Sequence, residues 1–208
     1  MSKPAIIYLH GFNSASVDAH GQLLLQKDKL RVLQEFCHAN ALLLQAPNVD
    51  YRDFSALLED IFFAWNQLLD QGYRVTFMGS SMGGFASEYL ALKTGCHAIM
   101  INPAIQPSQL LTQFIGPTHN DTTGVTYHWE QAHCMQYRHY EQELACNHRA
   151  INRTLLLDKA DELLDTAHTI AVYQATSKIL AFEGGSHSFE HMRAALPAVA
   201  DALGLAVA

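Results

Sequence analysis

The chain has 208 residues, 49% of them apolar and 16% charged, with a formal net charge of −7. That length fills one substantial domain and is short for two, and the apolar share supplies one core covered by helices. The acidic balance speaks against nucleic acid, whose phosphates it would repel, and against docking on an anionic membrane.

The first apolar run is short and follows no basic leader, and no run approaches the roughly 18 apolar residues of a spanning helix. Cys37, Cys96, Cys134 and Cys146 show no C-x-x-C spacing. They read as reduced thiols, and the expected location is the cytoplasm.

In chain order, the first predicted strand covers 5–9 and runs straight into His10-Gly11-Phe12-Asn13-Ser14. Leu23, Leu30, Leu33 and Cys37 mark a helix, and 41–45 a second strand. Phe54, Leu57, Leu58, Ile61, Phe62, Trp65, Leu68 and Leu69 recur at helical spacing, an amphipathic helix ended by Gly72. A third strand, 74–78, leads into Gly79-Ser80-Ser81-Met82-Gly83 and then into a helix over 85–92. A fourth strand covers 97–101. The segment 103–152 then breaks the rhythm, with Leu110, Leu111, Phe114 and Ile115 at helical spacing before a polar stretch rich in His and Tyr. We read it as a cap or lid insertion; an added packing element fits the residues equally well. Strands at 153–158 and 178–183 flank a helical run to about residue 173. Phe189, Met192, Leu196, Val199 and Leu203 mark the last helix, with Pro197 as a kink or break. Alternating strands and helices predict a parallel α/β sheet of about six strands, covered on both faces, with the strand before Gly79 near its centre.

Gly79-Ser80-Ser81-Met82-Gly83 fits G-x-S-x-G, and strand–turn–helix is the context that makes this pentapeptide a nucleophile elbow. Gly79 and Gly83 lack side chains where backbone segments must nearly touch. A carboxylate and a histidine follow in the order used by α/β-hydrolases: Asp161 after the fifth strand and His187 after the sixth. Open α/β sheets place their sites at such strand ends. In this reading Ser81 is the nucleophile, His187 the general base and Asp161 the group that fixes its tautomer. The backbone N–H groups of Phe12 and Met82 form the oxyanion hole. Ser80 is the neighbouring hydroxyl, but the motif puts Ser81 at the centre. Asp158, Glu162 and Asp165 compete with Asp161, and His191 competes with His187 from one helical turn further on.

These segments resemble the small bacterial YqiA/YcfP-like esterases, a compact branch of the α/β-hydrolases. The resemblance rests on Tyr8-Leu9-His10-Gly11-Phe12-Asn13-Ser14, Gly79-Ser80-Ser81-Met82-Gly83-Gly84-Phe85, Asn102-Pro103-Ala104, Asp161-Glu162-Leu163-Leu164-Asp165 and Gly184-Gly185-Ser186-His187. It implies an α/β-hydrolase fold, a Ser81/Asp161/His187 triad and carboxylester hydrolysis. The 103–152 segment matches least clearly, and that is where a substrate pocket would be shaped.

Phe12, Tyr127, His128 and Trp129 are the candidate pocket residues; packing the lid down is the equal alternative for the last three. The twelve histidines form no recognised ligand spacing, so neither metal nor cofactor is expected. His10 reads as support for its turn. The expected partner is a small ester or thioester substrate, with no nucleic acid and no membrane. Two other functions stay open: a non-catalytic scaffold that binds a ligand or partner, and a triad hydrolase acting on a C–C or amide bond.

Overall fold

A computed structural model describes residues 2–205. Its elements, in chain order, are β1 (Lys3–Leu9), α1 (Asp28–Ala39), β2 (Leu43–Gln45), α2 (Phe54–Asp70), β3 (Tyr73–Ser80), α3 (Met82–Thr94), β4 (His97–Ile101) and α4 (Pro107–Leu110). A hairpin β5 (Gly116–His119) and β6 (Thr126–Trp129) follows, then α5 (Gln131–Met135), α6 (Tyr137–Cys146), β7 (Arg153–Asp158), α7 (Thr166–Tyr173), β8 (Lys178–Phe182) and α8 (Met192–Ala202).

Six strands form one sheet in the order β2-β1-β3-β4-β7-β8, and every neighbouring pair is parallel. The chain has the α/β-hydrolase fold, with β3 at its centre. The period-2 geometry of β1 divides its side chains between the faces. Ala5, Ile7 and Leu9 enter a core with Phe54, Leu58 and Ile61 of α2 and Phe85 and Leu90 of α3. Ile6 and Tyr8 enter a second core with Leu30, Leu33 and Cys37 of α1 and Met192 and Val199 of α8. Burial on both faces is why the strands read as continuous apolar runs.

The segment between β4 and β7 has two parts. The helical part is fixed to the main domain by aromatic rings: Tyr137 and Tyr140 approach Phe54 with centroids 5.0 and 4.8 Å apart. The β5–β6 hairpin reaches the loop after β1, where Asn120 Nδ2 donates to the Ser14 carbonyl at 3.0 Å.

Three sequence expectations shift. Leu23 lies outside α1, paired with Val17 in an isolated bridge. The Asp18 carboxylate accepts from the His20 and Gln22 amides, and this turn competes with helix. The second strand starts at Leu43 because Ala41 turns left-handed (φ 52°) at the end of α1. Pro197 neither breaks nor ends α8. It lies on the solvent face, where the Arg193 carbonyl that loses its helical partner can meet water.

Candidate active site

Ser81 stands between β3 and α3 with φ 56° and ψ −118°, a conformation costly for a residue with a side chain. Its surroundings hold it there. The Ser81 amide donates to the Ile101 carbonyl at 3.0 Å, and the Ser81 carbonyl accepts from Gly84 and Ala104 at 2.9 and 3.1 Å. The flanking glycines are forced by contact. A Cβ on Gly79 would lie 2.1 Å from the Gly83 carbonyl oxygen, and one on Gly83 would lie 2.0 Å from the Leu9 oxygen. The first turn of α3 therefore presses directly on the ends of β3 and β1.

The turn after β7 brings Asp161 to His187. Asp161 Oδ2 and Oδ1 lie 2.9 and 3.1 Å from His187 Nδ1. Oδ1 also accepts from the Leu163 and Leu164 amides, both at 2.9 Å. Burial pushes the Asp161 carboxyl up, but the His187 hydrogen bond and these two amides outweigh it and hold the group below the usual carboxylate range. A carboxylate at Nδ1 fixes the proton there and leaves Nε2 as the basic nitrogen, facing away from Asp161.

The loop carrying His187 is clamped from below. Asn102 Nδ2 donates to the Ser186 and His187 carbonyls at 3.0 and 3.3 Å, while Asn102 Oδ1 accepts from the Asp158 amide at 2.9 Å. The fully buried Asp158 carboxylate accepts from the Glu190 amide and His191 Nδ1, both at 2.7 Å, and from the Ser186 amide at 3.3 Å. Glu162 accepts from the His187 amide at 2.9 Å, and Asp165 caps α7 through the His168 amide. The competing carboxylates thus have other partners, and His191 belongs to Asp158.

The loop after β1 closes the site. A Cβ on Gly11 would lie 3.2 Å from Ser81 Cβ and 3.8 Å from Ser81 Oγ, so this backbone abuts the serine. His10 is buried; its Nε2 accepts from the Val49 amide at 3.0 Å and its Nδ1 faces the Gly11 carbonyl at 2.8 Å. Burial lowers its pKa to about 4, so the imidazole is a neutral brace for the turn. Among the described residues, the Phe12 and Met82 amides donate to no protein acceptor. Met82 opens α3, where the helix dipole adds to its amide's pull on an anion.

Ser81, His187, Gly11 and Phe12 line one cleft of about 540 Å³. The Ser81 hydroxyl and the His187 ring make no direct hydrogen bond here; such bonds commonly tighten only once substrate is bound. Ser80 lies beneath, nearly buried, with its hydroxyl accepting from Lys29 Nζ at 2.7 Å.

The candidate pocket residues separate. Phe12 lines the cleft and packs against Phe114 in a tilted and Trp129 in an edge-on arrangement, with centroids 5.2 and 4.7 Å away. Trp129 is fully buried behind it. Tyr127, under Arg52, lines a second depression of about 260 Å³, to which Phe12 and Trp129 also contribute. His128 is exposed and lines neither. Sequence reasoning missed Lys27 and Lys29, which line the cleft, and the Asn102 and Asp158 clamps. The lysines left one readable signal, two cations at the start of a helix, the end where the dipole disfavours them.

A profile described as Uncharacterised protein family (UPF0227) matches residues 5–203. Among solved structures, Est1E from Butyrivibrio proteoclasticus is similar at 13% identity and a TM-score of 0.72, over 96% of this chain and 86% of that one. A putative hydrolase of the alpha/beta superfamily from Xanthomonas campestris pv. campestris matches at 19% identity and a TM-score of 0.62, over 96% and 98%. An esterase from Pyrobaculum calidifontis matches at 17% identity and a TM-score of 0.63, over 97% and 76%. At these identities the likeness establishes the fold.

Proposed function

The chain belongs to the UPF0227 family, the YqiA/YcfP-like group, and from that membership and the cleft's geometry we propose that it is a serine hydrolase cleaving carboxylic esters. One observation carries the reading: His187, half-buried and paired with the Asp161 carboxylate, opens onto the same cleft as a serine held in a strained strand-to-helix turn. Strain at a non-glycine residue, over-determined by its neighbours, is a recurrent mark of sites built for chemistry.

In the proposed reaction, His187 Nε2 takes the Ser81 proton as Oγ attacks the ester carbonyl. The negative charge passes to the carbonyl oxygen, which the Phe12 and Met82 amides receive. The His187 proton then goes to the departing alcohol, leaving Ser81 acylated. Water, deprotonated by His187, attacks the acyl-enzyme and releases the acid, and the proton returns to Ser81. Asp161 keeps the imidazole in the working tautomer and stabilises its cation. The names of Est1E, also solved with ferulic acid bound, and of the Pyrobaculum esterase lend support by analogy. Phe12, which lines the cleft with the Phe114 ring against it, supports a preference for short to medium acyl groups.

The test is covalent labelling with a fluorophosphonate, followed by peptide mass spectrometry, beside a panel of acyl esters of rising chain length, thioesters and amides. Labelling of Ser81, and loss of both label and turnover in Ser81→Ala, is the expected result. Labelling at another residue, or a panel without turnover, overturns the reading.

A further inference from the structure

Two lysines occupy an unfavourable place in an acidic chain. Lys27 is the N-cap of α1 and Lys29 lies in its first turn, at the positive end of the helix dipole. Both line the cleft beside Ser81 and His187. Lys27 Nζ is occupied by Ser14 Oγ and the Ala15 carbonyl, at 2.7 and 2.9 Å. Among the described residues, Lys29 Nζ donates only to Ser80 Oγ, at the residue next to the candidate nucleophile. Among the described residues, no carboxylate forms an ion pair with either ammonium.

The carboxylates nearby are otherwise engaged. Asp28 pairs with Arg31, Asp161 with His187 and Asp158 with His191. Glu190, exposed, completes the cleft's acidic groups. Burial, then repulsion from Lys27, lowers the Lys29 ammonium to about 8, against the opposite pull of Asp158 and Asp161. An ammonium that no carboxylate reaches directly, with hydrogens left to give in a partly dry cleft, is stabilised by an anion that accepts them.

We propose that this cleft selects esters that carry a carboxylate, with Lys29 as the residue that recognises it and Lys27 as a supporting charge. The proposal rests on the ester-hydrolase reading and names its substrate class. A single negative charge fits better than a phosphate dianion, because one ammonium has hydrogens to give while Asp158, Asp161 and Glu190 stand close by.

Two matched ester pairs test it. One sets 4-nitrophenyl hemiglutarate against 4-nitrophenyl pentanoate, with the carboxylate on the acyl side. The other sets 4-acetoxybenzoate against its methyl ester, with the carboxylate on the leaving group. The wild-type protein should favour the anionic member of at least one pair in kcat/KM. That ratio should fall by about tenfold or more in Lys29→Met and recover in part in Lys29→Arg. No anionic preference in either pair, or a ratio that Lys29→Met leaves unchanged, overturns the proposal.

Calorimetric titration of glutarate into the Ser81→Ala protein provides a readout independent of turnover. Lys29→Gln, used in place of Lys29→Met if that variant fails to fold, should weaken glutarate binding by about tenfold. Lysine-dependent glutarate binding without hydrolysis of any ester leaves the subsite standing and sinks the hydrolase reading. Ester hydrolysis with glutarate binding indifferent to Lys29 does the reverse. Inorganic phosphate binding tighter than glutarate overturns the carboxylate assignment.

Discussion

Asp158 and His191 form a second carboxylate–imidazole pair, Oδ1 to Nδ1 2.7 Å apart, alongside the pair of Asp161 and His187. Both pairs join the end of β7 and the turn after it to the segment between β8 and α8. The Asp158 pair is the inner one: its carboxylate is fully buried and also receives the Ser186 and Glu190 amides, which bracket His187. Asp158 is thus a positioning residue. Asp158→Asn keeps the volume but turns one acceptor oxygen into a donor facing those amides and the imidazole. We expect a loss of about 1–3 kcal/mol of stability and a fall in kcat larger than any rise in KM. Thermal unfolding and steady-state kinetics on one ester decide the matter; an unchanged kcat removes Asp158 from this role.

Asp161→Asn tests the outer pair. The amide can still accept from Leu163 and Leu164, but it stabilises the wrong imidazole tautomer and no longer balances the cation. A drop in kcat of about 10³-fold or more, with the fold retained by circular dichroism, is expected from the proposed role. A loss below tenfold would assign the carboxylate elsewhere.

The brace at His10 makes the fold sensitive to acid. Its folded-state pKa of about 4 lies below the ordinary histidine value, so between the two values the unfolded chain binds more protons. Stability is therefore complete above about pH 6.5 and declines as pH falls toward 4. The His10 share of that decline is about 3 kcal/mol when fully developed. Urea titrations from pH 7.5 to 4.5 should show a shallower decline in His10→Asn than in the wild type. Identical slopes would exclude His10 as the acid-sensitive group.

Under α3, Glu88 and Arg153 form a buried ion pair joined by the Tyr173 hydroxyl at 2.7 Å from Glu88 Oε2. Removing one partner strands the other's charge or donors in the core. Glu88→Ala should cost about 3–5 kcal/mol, read as a lowered denaturation midpoint in urea. Replacing both, as Glu88→Leu with Arg153→Met, should recover much of that loss. A double variant weaker than Glu88→Ala alone would show that the pair, with its hydrogen bonds to Ser177 and the His148 carbonyl, contributes net stability.

The sequence by itself determined the α/β layering and the elements that carry Ser81, Asp161 and His187. Those features are local: a fully buried strand is a continuous apolar run, a docked helix repeats every three to four residues, and an elbow needs glycines on either side of its serine. Tertiary structure alone decided which carboxylate meets which imidazole, because Asp158 and Asp161 differ by three positions while their partners lie about thirty positions away, across a separate strand. It also decided that Tyr127 and Trp129 meet Phe12 at a second depression rather than in the cleft of Ser81, since a hairpin's facing depends on what lies beneath it. The lysines of α1 reach the cleft for the same reason. A charge at a helix start reads as solvated until the packing of that helix against Ser80 brings it inward.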